Sequence, residues 1–131
     1  PGDTVYGRRG DIGRRAYIGK RQAGWFCGTG CLRIRPDPDA ILPRYLFDTL
    51  GTPETVGAIT NRAKGSTMLN LSAAALKPVS VLVPTRRMQD LYVEQVERVH
   101  EMVEVLDEQN QKLRAARDLL LPRLMSGELT T

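Results

Sequence analysis

The sequence predicts an α+β chain: a small, strand-rich domain followed by one long C-terminal helix that forms a coiled coil. Three observations carry that prediction. Short runs of branched and aromatic residues, bounded by glycine or proline, fill the front of the chain. From Thr85 to Leu121 there is neither glycine nor proline, and Pro84 and Pro122 bracket the stretch. Within it a mostly apolar stripe steps by four and three residues. The expected division is 1–84 for the domain, 85–121 for the helix and 122–131 for a tail.

The elements follow in order. "TVYG" (Thr4–Gly7), "RAYI" (Arg15–Ile18), "GWFC" (Gly24–Cys27) and "CLRIR" (Cys31–Arg35) read as strands. The last alternates, with Leu32 and Ile34 on one face and Arg33 and Arg35 on the other. "PDPD" (Pro36–Asp39) is a turn that stops it. "PRYLFDTL" (Pro43–Leu50) fits a short helix with Pro43 in the first turn, where proline is tolerated. "PETVGAITNRA" (Pro53–Ala63) fits a second helix, weakened by Gly57. "KGSTMLNLS" (Lys64–Ser72) reads as a loop, "AAAL" as a turn of helix, and "VSVLVP" (Val79–Pro84) as a last, buried strand.

The helical stripe runs Tyr92, Val96, Val99, Val103, Leu106, Asn110, Leu113, Arg117, Leu120. It forms a heptad seam of about four repeats. Five glutamates, from Glu94 to Glu108, fall off it. A helix from Met88 to Leu121 measures about 50 Å at 1.5 Å per residue. That is too long to bury its stripe on so small a domain, so the stripe needs another helix. Asn110 is a polar insert of the kind that fixes register and pairing.

Composition and charge narrow the chemistry. A chain of 131 residues, 41% hydrophobic and 26% charged, reads as one soluble globular domain. No apolar run is long enough to cross a membrane, and the start has none of the parts of a signal peptide. It begins without Met and almost directly with a strand, so it reads as a fragment of a longer protein. Cys27 and Cys31 fit neither a redox pair nor, with His100 the sole histidine, a zinc site. They read as reduced cysteines in or near a core, and the cytoplasm is the expected compartment. No metal site is expected. "GRRAYIGK" (Gly13–Lys20) has five residues between its glycines, and Arg21 follows the lysine, so it is not a phosphate-binding P-loop. "GTG" at Gly28–Gly30 lacks the third glycine of a dinucleotide fingerprint. No catalytic constellation emerges.

What remains is electrostatic. Residues 1–87 hold fourteen Lys or Arg against six Asp or Glu, a net +8, whereas residues 88–131 hold five against nine, a net −4. A basic front and an acidic back imply two jobs, one of them with a polyanion. In "VYGRRGDIGRRAYIG" (Val5–Gly19), Arg8, Arg9, Arg14 and Arg15 surround a glycine turn. Guanidinium groups fork onto phosphate oxygens or onto the guanine O6 and N7 edge. Gly10 and Gly13 let the backbone approach a ligand closely. Asp11 can pair with an arginine or accept from a cytosine amine. Lys64, Ser66 and Thr67 offer a second loop suited to phosphate. The candidate DNA-binding residues are therefore these eight.

The ordered set "GDTVYGRRGDIGRRAYI", "GWFCGTGCLRIRPD", "PRYLFDTL" and "AKGSTMLNLSAAALKPVSVLVP" resembles the second half of a target recognition domain of a type I restriction-modification specificity subunit. "LRAARDLLLPRLMSGEL" (Leu113–Leu129) resembles that family's spacer helix and tail. At "PTRRMQDLYVEQV" (Pro84–Val96) the family usually shows a double proline and a Glu-Gln pair. Here Thr85 replaces the second proline and Met88-Gln89 fills the pair's place. The resemblance implies a non-catalytic DNA-reading subunit that recognises half of a split target, with paired antiparallel helices spacing the halves. It implies modification subunits that bind S-adenosylmethionine and a restriction subunit that uses ATP, with magnesium also on the partners' side. No cofactor is implied for this chain. For the fragment, the seam predicts a homodimer. The rival reading is a basic-headed coiled-coil adaptor without sequence-specific DNA binding.

Overall fold

Three strands pair antiparallel in the order β2-β1-β3: β1 is Thr4–Gly7, β2 Arg15–Tyr17 and β3 Cys31–Ile34. The computed structural model describes residues 1–10, 12–63 and 70–128. In the central strand, Tyr6 stands opposite Arg15 and Leu32, Thr4 opposite Tyr17 and Ile34, and Val5 opposite Ala16 and Arg33. Opposed residues share a face of the sheet. Thr4 and Tyr6 are fully buried, so their face is the inner one.

Helices α1 (Pro43–Thr49), α2 (Pro53–Thr60) and α3 (Ala73–Leu76) follow the sheet. Pro43 opens α1 and Pro53 opens α2, where a missing N–H does no harm. The Thr52 hydroxyl accepts from the Thr55 N–H (3.3 Å), and Ser72 caps α3 through the Ala75 N–H (3.1 Å). The core joins Tyr6 to Ile41, Leu46, Leu50, Ile59 and Leu71, with Leu32, Ile34, Val79 and Val81 packed against it. Full burial of a side chain the size of Ile59 contributes about 1.5–3 kcal/mol.

Two expected strands are not strands. Gly24–Cys27 forms a turn-stabilised loop, in which the Trp25 N–H donates to the Gln22 carbonyl (3.1 Å). Val79–Pro84 is neither strand nor helix, and Leu82 and Val83 are exposed, not buried. Both runs have strand-like composition. That preference reflects fit to a half-buried pleated surface, and among the described residues neither run has a ladder neighbour to supply one.

The long helix α4 spans Arg86–Met125 and passes through Pro122, beyond the expected end at Leu121. Its stop is Gly127, at φ +77°. The Gly127 N–H donates to the Leu124 carbonyl (3.2 Å) and the Glu128 N–H to the Arg123 carbonyl (3.0 Å), a Schellman closure that only a left-handed residue permits cheaply. Pro122 removes one helical hydrogen bond without ending the helix.

The chain packs as two units, residues 1–93 and 94–131. The first two turns of α4 belong to the first unit, and Gln89 is the reason. It is only 2% exposed. Its Oε1 accepts from the Leu42 N–H at 2.7 Å, and its Nε2 donates to the Pro84 carbonyl at 3.0 Å. Leu42 is the N-cap position of α1 and its own side chain cannot cap, so the amide of Gln89 does that work from a distance in sequence. Tyr92 adds an edge-to-face contact with Tyr45 and donates to Asp48 Oδ2 (3.1 Å).

Candidate nucleic-acid interface

The β1–β2 hairpin is built around its glycines. Gly10 and Gly13 have φ of +70° and +112°, the left-handed region expected of this turn. The Gly7 N–H donates to the Arg14 carbonyl (2.8 Å), closing the hairpin. A second segment lies along it: Asn70 bridges Arg9, and the Leu71 N–H donates to the Arg8 carbonyl at 2.8 Å.

Strand register then separates the four arginines. Arg15 is opposite the buried Tyr6 and turns inward. Its Nε donates to the Phe47 carbonyl (2.9 Å), and its guanidinium lies 4.8 Å from the centre of the Phe47 ring. Phe47 meets Tyr17 edge-on at 5.7 Å, and the buried Arg44 sits 3.8 Å over Tyr17. The two cations flank the pair of rings, fastening β2 to α1. A methyl group added at Gly51 would overlap the Arg15 guanidinium. Arg8 is half-buried; its N–H donates to the Gly30 carbonyl (3.1 Å), and its Nε is buried without a hydrogen-bond partner among the described residues. Arg9 and Arg14 are exposed.

A hollow beside the hairpin gathers Val5, Gly7, Arg9, Arg14, Arg15, Ala16, Gly30 and Cys31. Its lining joins apolar residues to the exposed Arg9 and Arg14, a combination suited to an anion that also presents flat or apolar surface. The predicted Asp11, Lys64, Ser66 and Thr67 lie outside the described residues. Cys27 and Cys31 are free and half-buried. Among the described residues no group of three or more His, Cys, Asp or Glu could hold a metal ion, and no helix is long and apolar enough to cross a membrane.

Three features escaped the sequence reading. Asp3, buried at the start of β1, accepts a two-pronged contact from Arg35, Nε to Oδ1 and Nη2 to Oδ2, each 2.8 Å. Those hydrogen bonds from Arg35, with the charges of Arg35 and Arg33, hold the carboxyl below its usual range despite burial. Gln89 stands in the sequence only as part of the Met88-Gln89 pair, and its burial and its capping contact with Leu42 carry no local pattern. Trp25 and Phe26, read as strand, stand 74% and 92% exposed. Burial raises the phenol of Tyr6, opposed by the charge of Arg15, and burial followed by the Asp48 charge raises that of Tyr92.

The helix-pairing positions divide as well. Tyr92 is engaged with Tyr45 and Asp48 within the first unit, whereas Val99, Val103 and Leu106 are 61%, 51% and 50% exposed. Val96 is half-buried; Asn110 and Leu113 are exposed.

No family model matches the chain. Among curated proteins, the specificity subunit of the type I restriction enzyme HindI from Haemophilus influenzae is 28% identical over 86 residues, or 65% of this chain. The chain spans about a fifth (19%) of that relative's length. It is a distant, partial homologue of a type I restriction-modification specificity subunit.

Proposed function

We propose that this chain is a DNA-reading piece of a type I restriction-modification specificity subunit, itself without a catalytic step. Residues 1–84 act as the partial recognition domain and 85–121 as the core of the spacer helix, with 122–131 continuing into the tail. The observation that carries the reading is the glycine-turned hairpin, which presents Arg9 and Arg14 at one hollow of a domain with net charge +8 over residues 1–87. The 28% identity over 86 residues to the HindI specificity subunit supports it.

The geometry supports a division of labour. Arg9 and Arg14 neutralise phosphates or reach a guanine edge; each good base contact discriminates by about 1–3 kcal/mol. Arg15 ties β2 to α1 through Phe47, and the Arg8 backbone ties the hairpin to Gly30. Asp11, Lys64, Ser66 and Thr67 are proposed as further DNA contacts. The stripe of Val96, Val99, Val103, Leu106, Asn110 and Leu113 pairs with a second helix, so that two readers stay at fixed separation. Modification and restriction subunits would be held on the DNA through such an assembly.

A salt titration of duplex binding tests this. The logarithm of the binding constant should fall steeply against the logarithm of salt. Arg9→Ala with Arg14→Ala should reduce that slope by about two, at roughly 0.9 per phosphate contact. An unchanged slope removes the hairpin from the contact surface. A flat slope for the intact chain leaves the coiled-coil adaptor, the reading that the exposed α4 stripe favours.

A further inference from the structure

Trp25 and Phe26 are the most unusual surface of the first unit. Leaving such side chains in water forgoes about 1.5–3 kcal/mol each. They are not loose ends. The Ala23 N–H donates to the Lys20 carbonyl (3.3 Å) and the Trp25 N–H to the Gln22 carbonyl (3.1 Å), so a hydrogen-bonded turn leads into the pair. On the far side the Cys31 N–H donates to the Gly28 carbonyl (3.1 Å). The loop then enters the arginine hollow, where Gly30 and Cys31 form part of the wall with Arg9 and Arg14, and Gly30 accepts from Arg8. Exposed Lys20 precedes the aromatic pair, and Arg33 lies on the outer face of β3.

We infer that Trp25 and Phe26 form a wedge that contacts the bases of the duplex whose phosphates the arginines hold. An aromatic pair on a cationic surface needs a partner with both flat apolar faces and negative charge, and nucleic acid has both. An apolar protein surface would match the rings alone, whereas the net +8 of residues 1–87 favours a polyanion. The inference rests on the DNA-reading function proposed above.

Trp25 is the only tryptophan, so its fluorescence reports this site alone. With the intact chain and a short duplex of mixed sequence at low salt, binding should quench Trp25 emission and shield it from acrylamide. Trp25→Ala should weaken binding by about tenfold, the scale of one lost aromatic–base stack, with the salt slope unchanged. Phe26→Ala should act likewise, and Trp25→Phe should retain most of the affinity. Circular dichroism of each variant should match the parent, because both side chains lie outside the core. If salt-dependent binding persists while Trp25 stays as open to acrylamide as in the free chain, the wedge is overturned and the DNA-reading function stands. Unchanged affinity of both alanine variants has the same meaning. If the intact chain shows no salt-dependent duplex binding, both fall together.

Discussion

Arg14 and Arg15 are adjacent, share a chemistry and do different things. A strand turns successive side chains to opposite faces, so only one of the two can look outward. Pairing with the buried Tyr6 assigns Arg15 to the interior, where the Phe47 carbonyl and ring receive it. Arg15→Ala should therefore lower stability by about 1–3 kcal/mol, the range for a charge-assisted hydrogen bond with a cation–π contact. Gly51 leaves room for that guanidinium. Gly51→Ala should cost about 1–2 kcal/mol by overpacking in the parent and little in the Arg15→Ala background. Denaturant titration of the two single variants and the double variant measures the coupling. Additive losses would mean that Arg15 does not sit against Gly51.

At the scale of elements, the start of α4 is a fixed joint within the first unit. Gln89 reaches the α1 N-cap position and the Pro84 carbonyl from one buried amide. Gln89→Ala leaves both part-buried groups without their partner, a loss of about 1–3 kcal/mol. Amide hydrogen exchange should quicken at Leu42 and in the first turn of α1, while the far end of α4 stays as protected as before. Equal protection at Leu42 in parent and variant would show that the amide is not what closes this joint. The other end of α4 is set by Gly127, whose left-handed backbone closes the last turn.

For the whole molecule the decisive feature is the uncovered stripe of the second unit. Exposed Val99, Val103 and Leu106 on one seam are more apolar surface than a solvated helix needs. If the fragment pairs through them, sedimentation at tens of micromolar should give a dimer. Val103→Asp with Leu106→Asp should return it to a monomer without changing the core of residues 1–93. A monomeric parent would reject pairing between copies and leave the stripe to a helix elsewhere in a longer chain.

Local pattern alone made much of the fold legible. β1 was read at its observed bounds because "TVYG" is rich in branched and aromatic residues and ends on glycine. α1 was marked by Pro43 at its start, and α4 by thirty-seven residues without a helix breaker. The cationic hairpin was legible too, since glycine spacing and arginine content are properties of the string. Other features needed neighbours. "GWFC" and "VSVLVP" have the composition of strands, yet a strand exists only where another edge offers hydrogen bonds. Pro122 looked like a helix stop, but a proline removes one bond and Gly127 is the residue that turns the chain.

The sequence by itself determined the α+β order, the charged hairpin and the long heptad helix, because each depends on residues close together along the chain. The tertiary structure decided which arginine faces out, which glutamine is buried and which aromatics are left in water. Those depend on register and on contacts between residues tens of positions apart, and no local pattern encodes them.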